Sequence, residues 1–307
     1  NKIEVVHVQT EFGLANAAIR VANEMKLPVL HTVHTIYWQA PGKFQKPVAT
    51  VMRTLLRRFT GNALAKMTTS GSDIEKVLRD LTLNTANSVD AVISPSAHQL
   101  ADIKAAGVVN KSVVLTNPFT KPNNEPAKQL PKTLPRLAMI GRLVPEKRPL
   151  EFIKASVLAQ KKIDFELKII GDGPLFEQAK ILAKDANITF TGRLNSDLVQ
   201  QEIDNSHCVA VVSYGFDNQP MTIIEAISRH RGVFYVDPKL TPIIEAAGFL
   251  TEPDIQSMAD GIVSLLKDAQ LEKLSLAAAS KAVDFSPETF VKGYEQLVSE
   301  LSGNHSA

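Results

Sequence analysis

The chain has 307 residues, 44% of them hydrophobic and 21% charged, with a formal net charge of +2. This composition is that of a globular protein and excludes extended disorder. A single cysteine, Cys208, excludes a disulfide framework and fits a reducing compartment. No apolar run reaches the ~18 residues of a membrane-spanning helix, so we expect a cytoplasmic protein.

Strands and helices alternate through the first part of the chain. The predicted elements are a strand at 4–8, a helix at 14–26, a strand at 29–33, a mostly helical stretch at 46–83, a strand at 90–93, a helix at 97–106 and a strand at 112–116. This order predicts a Rossmann-like α/β domain over residues 1–118.

The segment Lys46–Lys66 in the helical stretch combines apolar and basic residues at helical spacing. The apolar ones are Val48, Val51, Met52, Leu55, Leu56 and Phe59, and the basic ones include Lys46, Arg53, Arg57 and Arg58. Such a helix either lies on an anionic membrane surface or packs its apolar side on the core, and both interpretations stay open. The first 118 residues carry 13 Lys and Arg against 8 Asp and Glu. This bias suits an anionic neighbour, but without interleaved aromatic residues it does not predict nucleic-acid binding.

A proline-rich segment separates two regions of the chain. Residues 117–136 contain five prolines, which is the composition of an extended linker, placed here at 119–136. Strand–helix units then repeat over residues 137–284 and predict a second α/β domain. The last helix, over 285–301, carries an apolar stripe that must be buried, made of Phe290, Val291, Tyr294, Leu297, Val298 and Leu301.

Glycine or charged residues follow successive strands of the second domain. Gly141 permits close approach to the backbone, and Arg142 and Lys147 in the same loop bring two cations, which suits a diphosphate. The next two strands end at Gly171 and at Gly192–Arg193. Ligands of open α/β sheets bind at such strand ends, so the sequence predicts a ligand site there.

The segment from Ser213 to Ala226 places two acids, Asp217 and Glu225, on either side of a polar turn that opens a helix. The turn consists of Asn218, Gln219, Pro220, Met221 and Thr222. Amides at a helix start can hold phosphate or sugar oxygens, and carboxylates suit the hydroxyls of a sugar. The alternative is a surface turn whose acid is favoured by the helix dipole.

These residues together resemble a known family. IGRLVPEK, IIGDGP, FTGRL and the segment from Asp217 to Glu225 are similar, in order and spacing, to the C-terminal domain of group-1 retaining glycosyltransferases. HVQTEFGLA and HTVHTIY resemble the N-terminal domain of the bacterial diacylglycerol glucosyltransferase branch. The resemblance covers the chain from about Val5 to Leu301. It implies an α/β fold of the GT-B type, with two Rossmann-like domains facing across a cleft and the terminal helix, 285–301, joined to residues 1–118.

The resemblance also implies an activity. A hexose, in this branch glucose, would pass with retention from a UDP-sugar to a lipid or glycan acceptor, without a metal or a cofactor besides the donor UDP-glucose. The catalytic candidates are His34, Asp217, Glu225, Arg142 and Lys147. The remaining candidates for donor binding are Gly141, Gly171, Gly192, Arg193, Asn218, Gln219, Pro220, Met221 and Thr222.

Roles follow from the same resemblance. Arg142 and Lys147 would neutralise the diphosphate, Glu225 would hold the ribose and Asp217 the donor sugar. His34 would contact the transferred sugar. Such enzymes associate with membranes through the N-terminal domain, which would place this one peripherally on the inner face of the membrane through Lys46–Lys66.

Two departures from the family pattern bear on these expectations. Nothing in residues 1–40 resembles the glycine-rich loop that normally precedes an HVQTEF-like strand. The N-terminal domain is therefore expected to lack its first strand–helix units, and the alternative function is a catalytically impaired or truncated nucleotide-sugar-binding protein or regulatory subunit. Asp217 also stands where the family usually has Glu. Among the histidines outside the catalytic set, His7 and His31 are expected to be structural, and none has the spacing of a metal site.

Overall fold

The computed structural model describes residues 3–36, 45–60, 64–69, 71–120 and 129–305. The first strands and helices are β1 (Val6–Val8), α1 (Gly13–Glu24), β2 (Val29–Thr32), α2 (Gln45–Thr60), α3 (Asp73–Ala86), β3 (Ala91–Ser94), α4 (Ala97–Ala105) and β4 (Lys111–Val114). There follow β5 (Arg136–Ile140), α5 (Pro149–Gln160), β6 (Glu166–Ile170), α6 (Phe176–Leu182), β7 (Ile188–Gly192), α7 (Ser196–Asp204), β8 (Cys208–Val211) and α8 (Met221–Ser228). The last are β9 (Gly232–Tyr235), α9 (Thr241–Ile244), β10 (Gly248–Leu250), α10 (Ile255–Leu265), α11 (Gln270–Lys281) and α12 (Pro287–His305).

The chain divides into two compact units. The first contains the described residues up to Thr116 and again from Phe290, and the second runs from Asn117 to Thr289. The described ends of the expected linker belong to the second unit, because Leu130 packs on its core and the amide of Phe119 donates to Phe285 O at 2.8 Å. The linker over 119–136 stays a prediction, since its middle, 121–128, lies outside the described residues.

The first unit is built on a parallel sheet with the strand order β1-β2-β3-β4. Its two central strands are buried on both faces, as parallel strands covered by helices are. On one face Leu30, Ala91 and Ile93 pack against Leu297 and Leu301 of α12.

Helix α12 is held to the first unit by further contacts. Lys111 of β4 pairs with Glu300, and a methyl group added at Gly293 would lie 2.7 Å from Leu115 Cδ1. The helix also extends beyond the expected end at 301. Val291, expected in the buried stripe, is instead exposed because it points away from the sheet-facing positions Leu297 and Leu301.

The mostly helical stretch expected over 46–83 contains two helices, α2 and α3. The described residues 64–69 between them are not helical, and α3 starts at a capping box in which Ser72 and Glu75 bind each other's backbone amides. Asp80 of α3 fastens the intervening segment, because it accepts from the amides of Met67 and Thr68 at 2.9 and 2.8 Å. The break is therefore fixed by hydrogen bonds that the periodicity of apolar residues does not show.

Replacing Ser72 with alanine is expected to lower the free energy of unfolding by about 1 kcal/mol, since the first turn of α3 loses a side-chain acceptor. Urea titration followed by circular dichroism measures the change. Ser264→Ala is the matched control, because that hydroxyl donates to a carbonyl within α10 and caps no helix. An equal loss in both variants would contradict the capping role.

The second unit contains a parallel sheet with the strand order β10-β9-β8-β5-β6-β7. Helices cover both faces and enclose two apolar cores, which is the doubly wound arrangement. The chain order reverses beside β5, so the carboxyl ends of β5, β6 and β8 lie near the switch point where such sheets bind ligands. Cys208 is fully buried in β8, as expected, and burial raises the pKa of its thiol to about 12.

Candidate active site

Glycines at two strand ends allow neighbouring loops to touch. Gly141 and Gly171 follow β5 and β6 with φ of +144° and +138°. The amide of Gly141 donates to Ile170 O at 2.9 Å, and a methyl group on Gly171 would lie 1.9 Å from Gly141 O. Gly173 lies equally close to Leu143, since its added Cβ would be 2.6 Å from Leu143 O. No larger residue fits at 171 or 173 without a backbone shift.

These loops surround a cavity of about 520 Å³. Its lining includes Gly141, Arg142, Gly171 and Arg193, which the sequence assigned to donor binding from three separate motifs. The floor is apolar, formed by Ile140, Ile170, Leu194 and Val199. Both guanidinium groups belong to exposed residues at the rim. Gly192 precedes Arg193 with φ +68° and accepts from the amide of Gly171 at 2.9 Å, so it positions this rim rather than lining it.

Lys147 and Asp217 bind each other. Lys147 Nζ donates to both carboxylate oxygens of Asp217 at 2.6 and 2.7 Å, and Ser213 Oγ donates to one of them. Sequence analysis assigned Lys147 to a phosphate and Asp217 to a sugar. In the structure each group satisfies the other, so a ligand that uses either one must compete with this ion pair.

The loop that carries Lys147 is held at its end by Arg148. This residue has a left-handed backbone with φ 53°, and its guanidinium donates to Pro253 O and, at 3.4 Å, to Val212 O. Two anchors from separate loops thus fix the backbone beside Lys147. The sequence analysis missed Arg148, whose carbonyl partners leave no pattern in the sequence.

The turn before α8 lies next to the same loop. Pro220 and Thr222 border a small recess of about 20 Å³ together with Arg142, Lys147 and Ser213. No side chain caps the start of α8 at Pro220. The first amides of this helix are therefore not capped by a side chain, and the positive end of the helix favours an anion there. Arg142 borders both this recess and the larger cavity and therefore links them.

Gln219 holds the turn in place. Its side chain is 8% exposed, and Oε1 accepts from the amide of Asn117 at 2.9 Å. Its Nε2 has no hydrogen-bond partner among the described residues. Gln219 thus has a structural contact that the sequence did not reveal. Asn218 is half-buried and Met221 is exposed on the same turn.

Glu225 lies one turn into α8 and is half-buried. Burial raises the pKa of its carboxyl group. Its side chain makes no hydrogen bond or ion pair within the part of the chain that the structure describes, and its acceptors are therefore available to a ligand hydroxyl.

The first unit gathers polar side chains at the ends of β1 and β2. His34 Nε2 donates to Gln9 Oε1 at 2.6 Å, and His7 Nε2 lies 2.8 Å from Thr32 Oγ1. Burial lowers the pKa of His7 to about 4, helped by His31 and His34. Burial is also the largest cause that lowers the pKa of His34, against the opposing charge of Glu11. His34 is therefore a neutral donor at pH 7, with its tautomer set by Gln9.

A second buried pair lies beside this cluster. His31 is fully buried, as expected, and its Nε2 lies 3.7 Å from the carboxylate of the buried Glu11. The His7 ring also contacts the ring of Tyr294 of α12, with the centroids 5.3 Å apart and the planes tilted by 31°. Sequence analysis did not identify Gln9 as a partner of His34, although its position just after β1 was a signal. Among the described residues, no group of three or more His, Cys, Asp or Glu side chains could hold a metal ion.

Gln9→Glu is expected to raise the pKa of His34 by about one unit, because a carboxylate beside the ring favours the imidazolium. Titration of ¹⁵N-labelled imidazole by NMR measures this pKa. Gln9→Leu is the control, since it removes the acceptor without adding charge and should leave the pKa below 6.5, the ordinary value. The same upward shift in both variants would show that Gln9 does not face the ring.

The two parallel-sheet α/β units and the glycine-rich strand ends define a protein of the GT-B fold class. A model of the group 1 glycosyl transferases matches residues 120–282, and a model of glycosyltransferase family 4 matches residues 1–120. The chain belongs to the group 1 glycosyltransferase family.

Individual relatives agree with this placement. The alpha-monoglucosyldiacylglycerol synthase of Streptococcus pneumoniae is 27% identical over 204 residues, which are 63% of this chain and 43% of that protein. Sucrose-phosphate synthase from Thermosynechococcus elongatus shares the fold with a TM-score of 0.71 at 17% identity, covering 98% of this chain and 74% of that one. Anabaena HepE in complex with UDP-glucose has a TM-score of 0.67 at 20% identity, covering 97% and 79%. The chain spans about half the length of the curated relatives that it matches.

Proposed function

We propose that this protein is a retaining glycosyltransferase that moves glucose from UDP-glucose to a lipid acceptor. The observation that carries the proposal is the convergence of Arg142, Arg193 and the strand-end glycines on one cavity, with Lys147 and the start of α8 beside it. The glucolipid synthase of Streptococcus pneumoniae and the UDP-glucose complex of HepE support the choice of donor and acceptor.

The cavity would take the nucleotide, and its diphosphate would lie over the recess, beside Arg142 and Lys147. Arg142 and Lys147 then stabilise the charge that develops on the diphosphate as the bond between the sugar C1 and the phosphate oxygen breaks. UDP leaves with the electron pair of that bond, the acceptor oxygen bonds to C1 on the same face, and the acceptor proton leaves with UDP. The amides at the start of α8 add a favourable dipole.

The two carboxylates would orient the two sugars of the donor. Glu225, without a protein partner, accepts from the ribose hydroxyls, and Asp217 accepts from the hexose once the diphosphate has taken Lys147. In the first unit, the His34 ring offers a neutral hydrogen-bond acceptor to a sugar hydroxyl, because its lowered pKa keeps it uncharged at pH 7.

An outward-facing apolar stripe on α2 suits a lipid surface. Val48, Val51 and Leu55 are 46%, 59% and 49% exposed, so the core-packing interpretation is wrong for these three positions. Arg58 on the same helix is an exposed cation that an anionic leaflet attracts. Phe59 is outside the set of side chains that the structure describes. No helix in the described ranges is both long and apolar enough to cross a membrane.

A product assay tests the proposed reaction directly. UDP-glucose, UDP-galactose and UDP-N-acetylglucosamine are each incubated with the protein and vesicles that contain diacylglycerol, and the anomeric configuration of any glycolipid is read by NMR. An α-glucolipid from UDP-glucose is the expected product. Calorimetric binding of UDP-glucose without turnover would instead favour the alternative, a nucleotide-sugar-binding protein or regulatory subunit.

The double variant Val51→Asp/Leu55→Asp is expected to bind vesicles of phosphatidylglycerol about tenfold more weakly, since two apolar side chains no longer enter the interface. Sedimentation with vesicles measures the bound fraction. Leu276→Asp is the control, because this residue is as exposed but lies on α11 of the second unit. Equal binding by the wild type and the double variant would contradict the lipid-facing role of α2.

A further inference from the structure

A second large cavity lies between α2 and α3, in the first unit and apart from the donor site. Its volume is about 660 Å³, within the range of small-molecule sites. Among the described residues, five cationic side chains line it, against two acids. The cations are Lys46, Arg53, Arg57, Lys66 and Lys76, and the acids are Asp73 and Asp80.

Both acids are already engaged by protein groups. Asp80 is buried, pairs with Arg53 and accepts from two backbone amides. Asp73 lies 4.0 Å from Lys76. Lys46, Arg57 and Lys66 make no ion pair within the described ranges, so three uncompensated cations converge on one concave surface.

We propose that this cavity binds the phosphate group of a small phosphate ester. A phosphate carries close to two negative charges and has several acceptor oxygens, which matches two ammonium groups and one guanidinium fork. A single carboxylate would leave most of this charge unmatched.

The geometry of α2 favours a soluble ester over a lipid headgroup. The residues of α2 that line the cavity recur at 46, 49, 50, 53, 54 and 57, whereas the exposed apolar stripe is formed by Val48, Val51 and Leu55. At 3.6 residues per turn these two sets lie on opposite sides of the helix. When the stripe rests on a bilayer, the cavity therefore faces away from it.

Calorimetric titration with inorganic phosphate and with glycerol 3-phosphate tests the site. Lys46→Gln, Arg57→Gln and Lys66→Gln should each weaken binding of glycerol 3-phosphate about tenfold, because each loses a charge-assisted hydrogen bond. Lys104→Gln, an exposed lysine on α4 of the same unit, is the matched control and should keep the wild-type affinity. The titrations are run with and without saturating UDP, so that phosphate binding at the donor site is counted separately.

The vesicle arm separates the two sources of phosphate. Loss of glycerol 3-phosphate binding with unchanged sedimentation on phosphatidylglycerol vesicles supports the soluble ester. If the three cavity variants lose both glycerol 3-phosphate binding and vesicle binding, the cavity binds a lipid headgroup, and the assignment to a soluble ligand is overturned. Unchanged phosphate affinity in all three, or an equal loss in Lys104→Gln, would overturn the site itself. None of these outcomes tests the proposed transfer reaction, because UDP binding and the product assay measure that reaction separately.

Discussion

We expect UDP to bind about thirtyfold more weakly when Lys147 or Arg142 is replaced by alanine. Losing one charged partner of a desolvated phosphate costs about 2–5 kcal/mol, and each 1.4 kcal/mol is about tenfold in affinity. The lower end applies here, because 30% of the Lys147 side chain remains exposed and solvent screens its charge. Calorimetry with UDP measures the loss.

Two further variants make this result specific. Lys147→Arg keeps the charge and should retain most of the affinity. Lys161→Ala removes an exposed lysine just after the end of α5 and serves as the control. Lys147→Ala also leaves Asp217 without its cation, so thermal unfolding must show that the variant is folded. If UDP affinity is unchanged in both alanine variants, the loop does not bind the diphosphate.

The sequence predicted the strand ends of the second unit well because their requirements are local. Gly141 and Gly171 adopt backbone angles that other residues rarely adopt, and each directly follows a buried strand. The order of the motifs along the chain also gave the family. That the two glycines touch each other is a property of parallel pairing between β5 and β6, which the sequence implies but does not measure.

The contacts that the sequence did not reveal join distant positions. Lys147 and Asp217 are 70 residues apart, and Gln219 and Asn117 are 102 apart. Each residue looked free for a ligand when read in its own motif. Only the fold shows that Lys147 and Asp217 bind each other and that Gln219 is fastened to the backbone.

Periodicity alone also could not decide how α2 is oriented. Apolar residues at helical spacing indicate that one face of a helix is apolar, but they do not show whether that face packs on the core. In α2 the small residue Ala49 is buried while Val51 and Leu55 are exposed. The basic residues Lys46 and Arg57 line a cavity on the buried side. Packing against α3 and α1 determines this orientation, and the periodicity of α2 does not show which side these helices occupy.

Glu225→Gln and Asp217→Asn are expected to separate the two ends of the donor. Glu225→Gln should weaken binding of UDP itself about tenfold or more, because hydrogen bonds to a charged group contribute about 1.5–3 kcal/mol and its partner would be the ribose. Asp217→Asn should leave UDP affinity equal or higher, since Lys147 loses its competing carboxylate. The same change should remove the additional affinity that glucose gives to UDP-glucose.

The pH dependence gives an independent check on Glu225. Burial raises the pKa of this carboxyl group, and only its ionised form accepts two hydrogen bonds from a diol. Wild-type affinity for uridine, which has no phosphate to titrate, should therefore fall as the pH decreases through that raised pKa, whereas the Glu225→Gln variant should show a flat profile. Asp217→Asn serves as the matched carboxylate-to-amide control and should keep the wild-type profile. Two outcomes would contradict the assignment of Glu225 to the ribose and Asp217 to the hexose. One is an equal loss of affinity for UDP and UDP-glucose in Asp217→Asn, and the other is a wild-type pH dependence of uridine binding in Glu225→Gln.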